Sequence, residues 1–222
     1  LSIEIIGYTI IDNCTFNGNK AGNEPNELNQ VYGGAIHTWP DFPYENGHYS
    51  FLNNNNWIYS ENITITNSKF SNNKADEATS IYIQSATHTD FYAIDSKFID
   101  NNNEKYSFNI VSDAKTFVFE RSRIEYSDKN KASSGIKTSS LTKITDSHFL
   151  NNCAQNETKA EALLFDSITN GVEISDTIFE DCGRGGSEYS VVKIKSPIIH
   201  IYNNVFNFSS NDEENSCRPL LI

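Results

Sequence analysis

Four residues hold the same place in successive copies of a short recurring phrase, and together they could do acid–base chemistry: Asp95, Arg121, Asp146 and Asp176. Carboxylates stacked on neighbouring turns can hold a divalent cation, and a guanidinium or amine beside them can serve as a base. The simpler use of a guanidinium between carboxylates is an ion pair. Two carboxylates sharing acid–base work also need separated pKa values, and nothing in the sequence supplies the burial that would separate them. There is no Gly-His-Gly or Arg-x-Lys constellation, no Ser-His-Asp elbow and no phosphate loop. The histidines (His37, His48, His88, His148, His200) share no metal-ligand spacing and no C-x-x-C pair occurs, so no metal or other cofactor is expected.

A second candidate is a binding site. Residues 39–57 interrupt the repeat with Trp39, Phe42, Tyr44, Tyr49 and Trp57, interspersed with Pro40, Pro43 and Gly47. Loops carry function disproportionately, and aromatic rings offer large contact area. Rings beside Asp41, Asn46 and His48 suit the faces and hydroxyls of a sugar; the alternative is a packed lid over the fold. One residue before each recurring aromatic lies a cationic run, Lys69, Lys97, Arg123 and His148. It suits an acidic partner, or is simply a solvated face flanked by Glu120 and Glu125.

Asn-x-Ser/Thr sequons occur at Asn13, Asn62, Asn156 and Asn207. Asn62, Asn156 and Asn207 are the glycan candidates, Asn156 foremost because it sits in a polar loop; Asn13 lies at a corner beside a buried column. Glycans there would imply a eukaryotic secretory route. Cys14 is too many rungs from the other cysteines to bond them and reads as a small buried residue. Cys153 and Cys182 fall one column apart on adjacent turns and suit a disulfide, with Cys182–Cys217 as the rival pairing.

These residues are positioned by a repeat. The phrases IDNCTF, ITNSKF, AIDSKF, FERSRI, ITDSHF, ISDTIF and IYNNVF end at Phe16, Phe70, Phe98, Ile124, Phe149, Phe179 and Phe206. After a first gap of 54 residues they recur every 25 to 30, the mark of a stacked solenoid. Apolar positions alternate, which argues for strands. Asn or Asp at the bend (Asn13, Asn67, Asp95, Asp146, Asp176, Asn203) tolerates left-handed backbone and suits a sharp corner. Each phrase is followed by a second apolar run, such as TSIYIQ or SVVKI. This predicts an all-β fold, a single right-handed parallel β-helix over residues 1–222 with about seven turns and three short strands per turn. Stacking then makes columns: Cys14, Ser68, Ser96, Ser122, Ser147, Thr177, Asn204 in one, and Asn19, Asn73, Asn101, Ser127, Asn152, Cys182, Ser209 in another. Like amides at strand spacing hydrogen-bond along such an axis.

Phe-x-x-Asn at residues 16–19, 70–73, 98–101 and 149–152, followed by Gly33-Gly34-Ala35-Ile36, resembles the polymorphic outer-membrane-protein repeat of surface proteins. The Phe-x-x-Asn half covers most of the chain; the full Gly-Gly-Ala-Ile half appears once and decays to Ser-Ser-Gly-Ile at 133–136. The resemblance implies cell-surface adhesion or display and brings no catalytic residues with it. Parallel β-helices also carry pectate-lyase-like enzymes, and the Asp95, Arg121, Asp146, Asp176 column is the one arrangement here that imitates their site.

A net charge of −12 disfavours nucleic acid, which needs a basic footprint, and suits a self-repelling extracellular protein. There is no methionine and no membrane-length apolar run. With an uncapped final strand, RPLLI, the chain reads as a slice of a longer surface protein, membrane-linked only through parts outside it. The expected function is a non-catalytic extracellular module for adhesion or assembly, with other protein chains or glycans at a cell surface as partners. A polysaccharide-active lyase or hydrolase on the same scaffold is the competing reading.

Overall fold

The computed structural model describes residues 2–4, 8–21, 33–39, 44–45, 48–49, 61–75, 78–83, 89–102, 108–128, 134–152, 162–165, 171–182, 190–207 and 218–221. Alternating side chains build the strands: Thr89–Ile94 buries Thr89, Phe91 and Ala93 and turns Asp90, Tyr92 and Ile94 outward. Strands that follow one another join different sheets. Ala78–Ile83 lies in an eight-stranded sheet that runs from Ser2–Glu4 to Arg218–Leu221. Thr89–Ile94 lies in a seven-stranded second sheet, from Tyr8–Asp12 to Ile199–Tyr202, and Lys97–Ile99 in a seven-stranded third, from Thr15–Asn17 to Val205–Asn207. Phe108–Ser112 then returns to the first sheet, parallel to Ala78–Ile83. The chain is therefore all-β, its parallel sheets wound into a β-solenoid, and no helix occurs among the described residues.

The parallel pairing is in register through the recurring phrase: Phe16 opposes Phe70, then Phe98, Ile124, Phe149, Phe179 and Phe206 in turn. Phe70, Phe98, Ile124 and Phe149 are fully buried, each stabilising by roughly 1.5–3 kcal/mol. Ring centroids lie 4.7 Å apart for Phe16–Phe70, 4.8 Å for Phe70–Phe98, 5.2 Å for Phe149–Phe179 and 4.9 Å for Phe179–Phe206. Where Ile124 interrupts the column, Phe119 bridges it, 5.9 Å from Phe98 and 5.7 Å from Phe149.

Corners are made by left-handed residues. Asn13, Asn67, Asp95, Arg121, Asp146, Asp176 and Asn203 all have φ between 45° and 55°. A second left-handed column lies two residues past the aromatic, at Gly18, Asn72, Asp100, Asn151 and Asp181. Between the corners, polar columns run inside. The amide of Ser68 donates to Ser96 Oγ (3.2 Å), Ser96 to Ser122 (2.9 Å) and Ser122 to Ser147 (3.3 Å). Asn19 Nδ2 donates to Asn73 Oδ1 (2.8 Å) and Asn73 Nδ2 to Asn101 Oδ1 (2.9 Å).

Two expected column members are elsewhere. Cys14 is exposed, because Thr15–Asn17 is the edge strand of its sheet and no further described rung covers it. Ser127 is also exposed, donating to Asp100 Oδ1 from its amide (2.7 Å) and hydroxyl (2.9 Å). Tyr126 lacks the left-handed turn of its counterparts, so it points inward in place of the next residue. Its hydroxyl donates to the Asn101 carbonyl (2.8 Å) and accepts from Asn109 Nδ2 (3.1 Å), ending the asparagine column.

Tyr126→Phe strips both partners while keeping the ring. It is expected to lower stability by about 1–3 kcal/mol, the penalty for leaving buried polar groups unmatched, measured by urea unfolding.

Candidate functional site

The left-handed corner between the second and third sheets sets down one side chain per rung, and so brings together all four residues of the acid–base candidate. Asp95, Arg121, Asp146 and Asp176 form one wall of a shallow groove whose other wall is Lys97, Arg123, His148 and Ile178. Ser96, Ser122 and Ser147 line it too, their hydroxyls committed to the carbonyls two residues back, at 2.8 to 2.9 Å.

Within the groove Arg121 is fully engaged. Its Nε lies 2.9 Å from Asp95 Oδ1 and its Nη2 3.0 Å from Oδ2, a bidentate fork, while Nη1 meets Glu120. The hydrogen bond from Arg121 holds the Asp95 carboxyl below its ordinary range. Asp95, with a smaller contribution from Asp146, pushes the guanidinium pKa up, away from what a base requires. Arginine is also an unusual occupant of a left-handed corner, φ 45°.

The cationic run lies in register across the third sheet, Lys69 opposite Lys97, Lys97 opposite Arg123 and Arg123 opposite His148. Its members differ: Arg123 pairs with Glu125 at 2.9 Å and His148 with Glu180 at 3.2 Å, whereas Lys69 and Lys97 enter no ion pair among the described residues.

Of the aromatic insertion, Ile36–Trp39 is a strand of the first sheet, with Trp39 opposite Glu4. Tyr44–Glu45 and His48–Tyr49 pair antiparallel as a small hairpin, Tyr44 opposite Tyr49. Phe42 and Trp57 lie outside the described residues, as do the side chains of Trp39, Tyr44 and Tyr49. Nothing described joins this segment to the groove.

Among the sequons, Asn62 is half-buried on the outer face of Glu61–Thr66, its Oδ1 accepting from the hydroxyl of Thr64 at 2.8 Å. Asn207 is exposed at the end of the edge strand Val205–Asn207, and Asn13 is exposed at its corner. Asn156 lies outside the described residues. Cys182 is buried, its Sγ donating to the carbonyls of Phe149 (3.2 Å) and Glu180 (3.4 Å), where other rungs place an asparagine amide. Both of its expected disulfide partners, Cys153 and Cys217, lie outside the described residues. The second left-handed column and the inward Tyr126 escaped the sequence reading; the Asn, Asp or Gly two residues past the end of each phrase, missing at Tyr126 and Phe208, was the available signal. The chain matches no family model, no curated protein and no solved structure.

Arg121→Asn exchanges a strained corner residue for the type used at three of its counterparts and gives up an exposed ion pair worth little. The melting temperature at neutral pH is expected to rise by roughly 2–4 °C. Asp95 has a folded pKa below its unfolded value, so its contribution is present above the unfolded pKa and disappears as pH falls through the folded one. The variant lacks that contribution, so its advantage over the parent is expected to widen in acid, as read by thermal melts across pH.

Proposed function

We propose that the chain is a non-catalytic, extracellular β-solenoid module of a cell-surface protein, a stiff spacer that presents loops for adhesion or assembly. In its finer form the reading is a right-handed helix of about seven coils with three strands each, related to the polymorphic outer-membrane-protein repeat. Strand counts of eight, seven and seven support the coil number, and the strong preference of parallel crossovers supports the hand. Other protein chains or glycans would be the partners, met through the 39–57 insertion with Trp39 and Trp57 as anchors. Glycans on Asn62, Asn156 or Asn207 and a Cys153–Cys182 or Cys182–Cys217 bridge belong to the same extracellular picture.

The observation that carries the non-catalytic reading is the state of Arg121. Arg121, the cation within the carboxylate column itself, is forked onto Asp95 with its pKa raised. The competing reading, a calcium-assisted polysaccharide lyase or hydrolase, draws on the same groove and its four-rung column of Asp95, Arg121, Asp146 and Asp176.

Incubation with polygalacturonate and calcium separates the two. No rise in the ultraviolet absorbance of unsaturated uronates is expected; turnover that Arg121→Ala abolishes would install the enzyme reading instead. For the adhesive role, Trp39→Ala and Trp57→Ala are each expected to weaken binding to cell-surface glycans by about tenfold, as for an interfacial aromatic anchor, measured on a glycan array. Unchanged binding would remove the insertion from the site.

A further inference from the structure

Two pairs of lysines face each other across neighbouring rungs toward one end of the solenoid. Lys69 lies opposite Lys97 in the third sheet, and Lys20 bridges to Lys74 just past the next corner. All four are exposed, and none of their ammonium groups enters an ion pair among the described residues. Like charges placed directly opposite on paired strands repel. The arrangement is the more unusual in a chain with 29 acidic side chains and only 17 lysines and arginines.

Among the described residues the neighbouring carboxylates hold other groups and make no ion pair with these lysines. Asp12 accepts from Thr66 Oγ1 (2.6 Å) and Asn67 Nδ2 (2.9 Å), Asp95 is held by Arg121, and Asp100 accepts from Ser127. Further along the same column Arg123 pairs with Glu125, and His148 Nε2 lies 3.2 Å from Glu180. Among the described residues, the lysines that stand opposite lysines are therefore those at the Lys20, Lys69, Lys74, Lys97 end, with Asn17, Asn67 and Asn72 on the same rungs.

We propose that this lysine face binds a linear anionic polysaccharide laid along the solenoid axis. Each rung advances the cations by about 4.8 Å, comparable to the advance of one sugar in an extended chain, so successive lysines can meet successive sulfate or carboxylate groups. The amides of Asn17, Asn67 and Asn72 bond within the ladder, to one another, to Ser71 and to Asp12, so the lysines carry the recognition. The lysines lie in line along the axis, which fits an extended single chain better than the two curved phosphate tracks of a duplex. The proposal deepens the surface-module reading and rests on it for its setting.

The test measures binding of the full chain to immobilised heparin and polygalacturonate, with neutral dextran as blank, over a salt series. The parent is compared with Lys69→Ala/Lys97→Ala and with Lys115→Ala/Lys143→Ala, which removes the same charge elsewhere. The parent is expected to bind at low salt, and the first pair to weaken binding by about tenfold and flatten the salt slope by roughly one to two; the second pair should stay within about twofold, the scale of exposed, screened charges. Preference for heparin would name sulfate as the recognised group, and preference for polygalacturonate would name carboxylate. Absence of binding at low salt, equal losses in both pairs, or tighter binding to duplex DNA would overturn the proposal. Turnover of bound polygalacturonate would sink the non-catalytic reading and leave this one standing, whereas neither binding nor turnover would do the reverse. Circular dichroism verifies that each exposed-lysine variant keeps its β spectrum.

Discussion

In-register parallel pairing places every residue of the recurring phrase over its own equivalent, from Phe16 to Phe206. A side chain in such a position must tolerate its own likeness about 4.8 Å away. Flat rings do so by stacking, and the observed centroid separations of 4.7 to 5.2 Å are close to the strand spacing itself. Asparagine does so because its amide carries both a donor and an acceptor, and serine because its Oγ accepts the amide N–H of the neighbouring rung while its own proton goes to the carbonyl two residues back. A column of like charges has no such solution in the interior, which is why the ionisable members of the phrase lie outside.

Residues 116–128 show the same constraint through its exceptions. This rung carries Arg121 at the corner, Ile124 in the aromatic column and Tyr126 where a left-handed turn is otherwise found. Each departure is met by a neighbour. Asp95 forks onto Arg121, Phe119 fills the space beside Ile124, and Asn101 and Asn109 take up the hydroxyl of Tyr126. The changes lie within six residues, and their compensating partners lie in the same rung or the one before. A solenoid couples nearest neighbours, so a rung can depart from the pattern when its immediate neighbours adjust to it.

The sequence made the columns legible because the chemistry of each position repeats with the backbone. Asn and Asp at the bend announced a left-handed corner, and φ near 50° is what Asn67, Asp95 and Asp146 adopt. The second corner was harder to read. In Asn72-Asn73 and Asn151-Asn152 two identical residues sit side by side, and nothing in their type says that the first turns the chain while the second points inward. Tyr126 was misplaced for the same reason, since a missing left-handed turn shifts the inward position by one residue. The acid–base candidate was legible as a column, and its ion pairing was one of the two outcomes its residue types allowed. The aromatic insertion has no period, and past Trp39 no described residue of it pairs with a neighbouring rung.

Repetition also limits what the surface can do. A group repeated from rung to rung is spent on its neighbours: serine hydroxyls on carbonyls, asparagine amides on the next amide. Chemistry directed at another molecule needs a group that the ladder has left over. Two kinds of group on the described surface stand out. One is the exposed apolar side chains at the ends of the second sheet, Tyr8 and Ile10 at one and Ile198 and Tyr202 at the other. The other is the lysines that face lysines. The first kind has no charge or shape that selects a partner. The second has a sign, a spacing and a direction along the axis, and these are the elements of recognition for a linear polymer of opposite charge. A solenoid whose inner columns bond along its axis can thus recognise through the few columns where like stands beside like without relief.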